Sequence, residues 1–202
     1  MTDSVIAIVD YGVGNLRSVE RALLHVGARP VITADLEQLE GARGLVLPGV
    51  GAFGPARDRL AQHGLGARVV ELARQGKPVL GVCLGYQLLF EESEEGGRHE
   101  GLGLLPGRVL PIRGTEHVPL IGWCRVRQVA SAPLWDGIAD QSYFYFVHSY
   151  APASSEAAVG ATDHLSAAAA WSGRVMGTQF HPEKSGPDGL RVYANFRALC
   201  DA

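Results

Sequence analysis

The sequence predicts an α/β fold, in which an open, mostly parallel β-sheet carries helices on both faces. Two observations support this class. In the first half of the chain, short apolar segments alternate with segments whose apolar residues recur at helical spacing, the order expected of β-α-β units. In the second half, strand signals follow one another with few helical patterns between them, which predicts extra antiparallel strands. A length of 202 residues suits a single domain spanning residues 1–202.

The elements of the first half can be assigned in order. Val5 to Val9 reads as a strand, and Leu16 to Val26 reads as a helix that ends at Gly27. The apolar segment 78–82 predicts a buried strand, and segment 86–90 predicts a short helix directly after it. The remaining predictions are strands at 30–33 and 45–47 and helices at 57–62 and 67–75.

The second half begins after an acidic, glycine-rich segment at 91–103. That segment reads as an exposed loop whose carboxylates form a solvated face. Strands are predicted at 108–112, 125–129, 143–150, 157–161, 167–171 and 175–180, and a closing helix at 190–199.

Cys83 lies between the strand and the helix predicted near the middle of the chain, flanked by Gly81 and Gly85. A strand, a sharp turn and a helix with a nucleophile at the turn form a nucleophile elbow, and the tight turn needs little side-chain bulk around that residue. The helix start also places free N–H groups and the positive end of the helix dipole beside the sulfur, which favours thiolate over thiol. The pattern predicts a catalytic thiol; a buried cysteine in an α/β crossover is the alternative.

A thiol nucleophile needs an imidazole base, and the imidazole needs a carboxylate that fixes its tautomer. His181 and Glu183 follow the last predicted strand, at the strand end where open α/β sheets place their sites. Pro182 favours extended geometry at His181, so the side chains of His181 and Glu183 are expected to point to the same face. We predict that Glu183 orients His181 and that His181 faces Cys83. His148 is a rival base, but it has no carboxylate two residues away.

The apolar strand predicted at 45–47 runs into a loop with glycines at 49, 51 and 54. Such a loop can bring backbone N–H groups close to a substrate. Acyl transfer to a thiol needs N–H donors aimed at the developing oxyanion. The natural donors are the N–H of Leu84, directly after the nucleophile, and an N–H near Val50 or Gly51. Taken alone, the loop would read as a structural turn.

These three segments together resemble the class I glutamine amidotransferases, which are glutaminases with a Cys-His-Glu triad. Segment 8–18, Ile-Val-Asp-Tyr-Gly-Val-Gly-Asn-Leu-Arg-Ser, is similar to the opening of one subfamily, the glutaminase subunit of imidazole glycerol phosphate synthase. Segments 48–53, 81–87, 145–150 and 181–186 resemble the same subfamily, and the resemblance runs from residue 6 to about residue 196. It implies a flavodoxin-like, class I amidotransferase fold.

The resemblance also implies an activity and a partner. The chain would hydrolyse L-glutamine to L-glutamate and ammonia, with no cofactor, and pass the ammonia to a (β/α)8-barrel cyclase subunit in a heterodimer. That subunit would make imidazole glycerol phosphate and AICAR in histidine biosynthesis. Substrate contacts are implied at Gly49, Gly51, Gln87, Ser149 and Tyr150. Partner contacts are implied at Asn15, Trp123, Tyr145 and Lys184. The sequence departs from the subfamily at Leu120, Ile121 and Cys124, where His, Met and Asn are usual.

The composition argues against several other classes of protein. Hydrophobic residues make up 47% and charged residues 19% of the chain, which is ordinary for a soluble globular protein. The net charge of −3 offers no electrostatic attraction for nucleic acid or an anionic membrane. No run approaches the ~18 apolar residues of a membrane helix. The cysteines at 83, 124 and 200 are widely spaced, which fits a reducing cytoplasm, and no Cys or His pair has the spacing of a zinc site.

Three alternatives remain open. The first is the glutaminase subunit of another amidotransferase, such as anthranilate synthase or pyridoxal phosphate synthase, which the opening segment 10–15 disfavours. The second is a cysteine peptidase-like protein on the same elbow fold, which Gln87 and the loop at 49–54 disfavour. The third is a non-catalytic scaffold subunit, which the complete triad disfavours.

Overall fold

The computed structural model describes residues 5–113 and 118–202. A mixed β-sheet of nine strands lies at its centre. The strands are numbered along the chain as β1 (Val5–Val9), β2 (Arg29–Thr33), β3 (Gly44–Leu47), β4 (Val79–Val82), β5 (Glu92–Ser93), β6 (His99–Glu100), β7 (Arg108–Pro111), β8 (Leu120–Gln128), β9 (Ser142–His148), β10 (Tyr150–Pro152), β11 (Ala158–Ala161), β12 (Ala169–Ser172) and β13 (Val175–Thr178). The order in the large sheet is β2-β1-β3-β4-β13-β12-β11-β8-β9, and a small sheet has the order β10-β7-β5-β6.

The large sheet has a parallel half and an antiparallel half. Strands β2, β1, β3, β4 and β13 pair in parallel, and every neighbouring pair from β13 to β9 is antiparallel. The predicted α/β class is therefore confirmed, and the predicted antiparallel strands extend the same sheet. Because β13 lies next to β4, the chain segment after β13 arrives beside the residue that follows β4, which is Cys83.

The helices cover both faces of the sheet. They are α1 (Leu16–His25), α2 (Leu36–Gly41), α3 (Phe53–Ala61), α4 (Leu65–Arg74), α5 (Leu84–Leu88) and α6 (Gly186–Asp201). Alternate residues of β1 enter different apolar clusters, because successive side chains of a strand point to opposite faces. Ile6 and Ile8 belong to the cluster that includes residues of α1 and α6, whereas Ala7 and Val9 belong to the cluster that includes residues of α3 and α4.

Helix α2 was not predicted from the sequence. Its start is capped by the side chain of Asp35, which accepts hydrogen bonds from the N–H groups of Glu37 and Gln38 at 2.8 and 3.1 Å. Leu39 is its one buried residue. A helix this short has no room for an apolar repeat, so its cap is the stronger signal.

Two predictions for the second half differ from the structure in ways that shape the site. The strand predicted at 143–150 is divided at Ser149 into β9, in the large sheet, and β10, in the small sheet. Segment 91–103 is not a plain exposed loop, since it contains β5 and β6, and β5 pairs with β7. The junction of the two sheets therefore lies at residues 148–150.

Candidate active site

Cys83 occupies the turn between β4 and α5 with φ of 54° and ψ of −110°, a conformation that residues other than glycine rarely adopt. Its N–H donates to the carbonyl oxygen of Thr178 at 2.8 Å, which ties the turn to β13. Packing requires the glycine at position 85, because a Cβ there would lie 1.8 Å from the carbonyl oxygen of Leu47. The elbow predicted from the sequence is present, and the backbone fixes where the thiol points.

His181 and Glu183 are joined by a hydrogen bond of 2.8 Å between Nδ1 and Oε1. The extended geometry predicted at His181 is confirmed, with φ of −97° and ψ of 98°, but it does not continue to Glu183, because residues Pro182–Lys184 form a 3-10 turn. The contact forms because this turn brings the carboxylate back to the ring. Tyr193 of α6 donates a longer hydrogen bond of 3.4 Å to Oε2 of Glu183. Helix α6 thus supports the carboxylate from behind.

The protonation of His181 follows from its two neighbours. Burial is the largest influence and lowers its pKa, but the hydrogen bond to Cys83, the hydrogen bond to Glu183 and their charges together raise the pKa to about 9. A carboxylate can only accept, so Nδ1 carries a proton and Nε2 is the nitrogen left for the sulfur. At neutral pH the ring is therefore protonated beside Cys83.

A pocket of about 370 Å³ opens at this site and brings together most residues that the sequence analysis singled out. It is lined by Val50, Gly51, Cys83, Leu84, Gln87, Glu95, Pro119, Val147, His148, Ser149, Tyr150, His181 and Lys184. A larger groove, of about 680 Å³, lies along α3 and α4, but its lining contains neither a cysteine nor a histidine. The smaller pocket is the better candidate because, of these two, it alone holds a cysteine together with a histidine.

The expected oxyanion donors lie at the pocket wall. Leu84 is the first residue of α5, so its N–H has no acceptor within the helix. Gly51 has φ of +96°, a conformation that favours glycine. Gly49, in contrast, is not in the lining: a Cβ there would lie 2.6 Å from Oη of Tyr11 and 2.8 Å from the backbone nitrogen of Gly85. Gly49 therefore packs the loop tightly against the elbow.

Glu95 is a lining residue that the sequence analysis missed. Its segment was expected to present solvated carboxylates, yet Glu95 is half-buried in the pocket wall. Oε2 of Glu95 accepts a hydrogen bond of 2.8 Å from the N–H of Phe53, which starts α3. Its neighbour Glu94 behaves as expected, since Glu94 and Arg108 form an exposed ion pair of 2.8 Å. Only the tertiary contact to α3 distinguishes Glu95 from its neighbours.

Gln87 is turned into the protein and lies beside a second buried glutamine. Its Nε2 donates to the carbonyl oxygen of Tyr150 at 2.7 Å and to Oε1 of Gln179 at 3.1 Å. Nε2 of Gln179 in turn lies 3.8 Å from Sγ of Cys83. Gln179 was not singled out from the sequence, because it sits in an apolar strand segment.

His148, the rival base, is buried in the pocket wall and has no carboxylate partner among the residues that the structure describes. Among the described residues, neither ring nitrogen has a hydrogen-bond partner of good geometry. The main chain of Tyr150 lies close enough to raise the pKa of His148, which opposes part of the lowering by burial. Burial is the main cause that lowers the pKa of His148 to about 4, and the charge of His181 adds to it. A ring with this pKa is neutral at pH 7.

Three of the four residues expected at a partner surface lie together. Trp123 and Tyr145 face each other across β8 and β9, with ring centroids 6.1 Å apart at 71°. Nζ of Lys184 lies 5.7 Å from the centroid of the Tyr145 ring. Trp123 is 53% exposed and Ile121, on the same side of β8, is 60% exposed. Asn15, the fourth, directly precedes α1 and is not among the residues that line the pocket.

Two further findings concern the described residues, 5–113 and 118–202. No group of three or more His, Cys, Asp or Glu side chains there is arranged to hold a metal ion. No helix among them is long and apolar enough to cross a membrane.

The fold and the elbow together define a class of protein, and comparison with known proteins agrees. The family model described as "Glutamine amidotransferase class-I" matches residues 7–199, so the chain is a member of this class. Among solved structures, one titled as a glutamine amidotransferase has a TM-score of 0.78 at 19% identity and is covered over 99% of its length by 97% of this chain. PurLQS from Thermotoga maritima has a TM-score of 0.78 at 20% identity, with 96% of this chain and 98% of that one covered. At these identities the structures support the fold alone.

Closer relatives define the particular family. A Bacillus cereus protein named imidazole glycerol phosphate synthase subunit HisH is 44% identical over 201 residues, which cover 98% of this chain and 96% of that protein. A protein of the same name from Desulfitobacterium hafniense is 46% identical over 196 residues, covering 95% of this chain and 93% of the relative. The chain belongs to the HisH family of imidazole glycerol phosphate synthase subunits.

Proposed function

We propose that the chain hydrolyses L-glutamine to L-glutamate and ammonia at Cys83, as the glutaminase subunit of an imidazole glycerol phosphate synthase. The observation that supports this chemistry best is the placement of three side chains: Cys83 and His181 line one pocket, and Glu183, buried behind His181, holds the imidazole through the Nδ1–Oε1 bond of 2.8 Å. A thiol, a base and an orienting carboxylate are what thioester chemistry requires.

The reaction divides into acylation and deacylation. The Cys83 thiolate attacks the side-chain amide carbon of glutamine, and the oxyanion is stabilised by the N–H of Leu84 and an N–H at Val50 or Gly51. The His181 imidazolium gives its proton to the departing nitrogen, which leaves as ammonia, and a thioester remains. Neutral His181 then takes a proton from water, whose oxygen attacks the thioester. The C–S bond breaks, and glutamate and the thiolate are released.

The pocket offers a complementary group for the charged end of glutamine. Glu95 is the one carboxylate among the described residues of the lining, and we assign it to the α-ammonium group. Its Oε1 is available, because Oε2 already accepts from the N–H of Phe53. Ser149 and Tyr150, at the junction of the two sheets, contribute polar groups for the amino-acid end, and Gln87 contributes its amide oxygen. Gly51 also lines the pocket.

The fate of the ammonia argues for direct transfer to a partner. Ammonia released into water at neutral pH becomes ammonium, which is not a nucleophile. Ile121 and Trp123 are exposed on β8, and Tyr145 of β9 lies half-buried beside them. Pro119, just before β8, and Val147 of β9 line the pocket. An exposed aromatic cluster continuous with a pocket is the kind of surface that forms an interface. We assign it to a (β/α)8-barrel cyclase subunit in a heterodimer that serves histidine biosynthesis, and Lys184 to an ion pair with that subunit.

The proposal also accounts for the cysteines. Cys83, Cys124 and Cys200 are all free, as a reducing compartment such as the cytoplasm would keep them.

The test is an assay of glutamate release from glutamine, by the free chain and by its complex with a cyclase subunit. The Cys83→Ala variant should lose glutamine hydrolysis while the complex still makes product from added ammonium salt, because the thiol takes part only in acyl chemistry. Cys124→Ala, at a half-buried cysteine outside the pocket, is the control and should retain activity. Glutaminase activity near wild type in Cys83→Ala would refute the assignment.

A further inference from the structure

Two buried glutamines link the carbonyl group of Tyr150 to the sulfur of Cys83. Gln179 is 0% exposed and Gln87 is 4% exposed. The hydrogen bonds run from Gln87 to Tyr150 at 2.7 Å, from Gln87 to Gln179 at 3.1 Å and from Gln179 to Cys83 at 3.8 Å. We call this series the amide chain. The reaction steps given above make no use of Gln179.

The direction of the amide chain follows from its first acceptor. A side-chain amide keeps its shape when its oxygen and nitrogen exchange places, so its orientation has to be derived from its partners. The carbonyl oxygen of Tyr150 can only accept, so the Gln87 atom beside it must be the nitrogen. The same nitrogen faces Gln179, so the Gln179 atom beside it must be the oxygen. The remaining polar atom of Gln179, the one that faces the sulfur, is then the NH2 group, which can only donate.

We propose that Gln179 donates an N–H to the sulfur of Cys83 and is held in that orientation by Gln87. This inference rests on the proposed role of Cys83 as the nucleophile. A hydrogen bond to an anionic acceptor is stronger than one to a neutral acceptor, so the donor stabilises thiolate over thiol. The same donor helps deacylation, because the sulfur leaves the thioester as a thiolate.

The amide chain also connects substrate binding to the sulfur. Both hydrogen bonds of Gln87 are made by its nitrogen, so its oxygen remains to accept from glutamine. A substrate that polarises the Gln87 amide in this way strengthens the donors on its nitrogen, since consecutive hydrogen bonds polarise one another. The strength of the hydrogen bond from Gln179 to Cys83 then depends on whether glutamine occupies the pocket.

A purely structural role for Gln179 makes a different prediction. Two buried amides that only satisfy each other would affect the free energy of unfolding when one is removed. They would leave the ionisation of the sulfur unchanged. The pH dependence of thiol alkylation separates the two roles.

The test is alkylation of Cys83 by iodoacetamide, an uncharged reagent, in the free full-length chain without glutamine. The rate is followed against pH, and mass spectrometry assigns the label among the three cysteines. In Gln179→Met the midpoint of the profile should move up by about one pH unit, as expected for loss of a modest stabilisation of the charged form. Gln87→Leu should move it in the same direction by less, although Gln87 does not touch the sulfur, because Gln179 is then free to turn.

Tyr86→Phe is the matched control. Tyr86 is the neighbour of Gln87 on α5, is 0% exposed, and donates one buried hydrogen bond of 3.1 Å to the carbonyl oxygen of Ala167. Its loss should lower stability without moving the midpoint. The proposal would be overturned if the pH profiles of Gln179→Met and Gln87→Leu superimposed on that of wild type. If Gln179→Met fails to fold, the profile of Gln87→Leu decides alone. Glutamine hydrolysis is measured separately: an inactive wild type whose profile responds to Gln179 would contradict the glutaminase proposal but not the hydrogen bond.

Discussion

Nδ1 of His181 lies 2.8 Å from Oε1 of Glu183, and the two side chains are 3% and 1% exposed. A pair this well shielded from water interacts strongly, because the local dielectric is low. The carboxylate is held in turn by Tyr193, at 3.4 Å. The ring therefore has one orientation before substrate arrives, and its neutral form has one tautomer, with the proton on Nδ1, which leaves proton transfer to Nε2.

Loss of the base should cost more than loss of its orienting carboxylate. His181→Ala removes general acid–base catalysis and should lower kcat by roughly 10²–10⁴-fold. Glu183→Gln should lower kcat by less, because the amide oxygen can still accept from Nδ1. Steady-state glutaminase kinetics of the complex measure both. A loss in Glu183→Gln equal to or larger than that in His181→Ala would mean that Glu183 has another role, such as binding substrate.

Glu95 should affect binding of glutamine more than turnover. Glu95→Gln removes the charge assigned to the α-ammonium group, so KM should rise by about 10-fold or more, as for loss of a charge-assisted hydrogen bond, with kcat changed little. Glu94→Gln is the control, since Glu94 is its exposed neighbour and pairs with Arg108. The result to be measured is the ratio of the two KM values. Equal KM values for Glu95→Gln and Glu94→Gln would show that Glu95 does not bind the substrate.

The sequence predicted the residues that carry a strong local pattern and missed those defined by tertiary contacts. Cys83 stands in an elbow whose glycines and apolar strand are visible in the sequence, and His181 stands at a strand end. Glu95 looks like any residue of an acidic segment, and only its bond to the N–H of Phe53 brings it into the pocket. Gln179 lies in the segment 175–180 that reads as an apolar strand, although β13 ends at Thr178. The strands β5 and β6, of two residues each, are too short for any repeat to show.

His148 should make the protein less stable in acid. Its pKa is lowered from 6.5 to about 4 in the folded protein, mainly by burial, so between these values the unfolded chain binds a proton that the folded protein does not. The stability that this histidine contributes as a neutral ring is present above pH 6.5 and is lost as pH falls towards 4.

The measurement is the free energy of unfolding of wild type and of His148→Gln, from denaturant titrations at pH 7 and pH 4.5. Wild type should lose about 1–3 kcal/mol more than the variant between these two values, the order expected from a shift of this size. Comparing the two proteins cancels the other titrating groups. The same loss in both would show that His148 titrates alike in the folded and unfolded states.

Trp123 should be a strong contact for the cyclase subunit. Large aromatic residues near the centre of an interface often contribute 2 kcal/mol or more, so Trp123→Ala should weaken the complex by roughly 30-fold. Val129→Ala is the control, since Val129 is also exposed, at 47%, but lies beyond the end of β8. Titration calorimetry of each variant with the cyclase subunit gives the two affinities. An affinity of Trp123→Ala within a factor of two of wild type would place the interface elsewhere.

Glutamine hydrolysis should be slow in the free chain and faster in the complex, most of all when the cyclase holds its own ligand. Unpaired hydrolysis would waste glutamine and lose the ammonia as ammonium. The candidate switch is the loop at residues 49–51, in which a turn of the peptide plane would point an N–H into or away from the pocket. One missing oxyanion donor costs roughly 10²–10³-fold in rate, enough for an effective off state. A partner that contacts the inward form better would favour it.

The loop itself can be tested at Gly51, whose φ of +96° strains any other residue although a Cβ there would meet no atom within 4 Å. Gly51→Ala should change the ratio of partner-activated to basal rate, because it alters the conformations between which the loop chooses. Gly64→Ala is the matched control. Gly64 has φ of +75°, a Cβ there would also meet no atom within 4 Å, and the residue does not line the pocket. That variant should lower stability and leave the ratio unchanged. If the free wild-type chain already hydrolysed glutamine at the full rate of the complex, the loop would not be a switch.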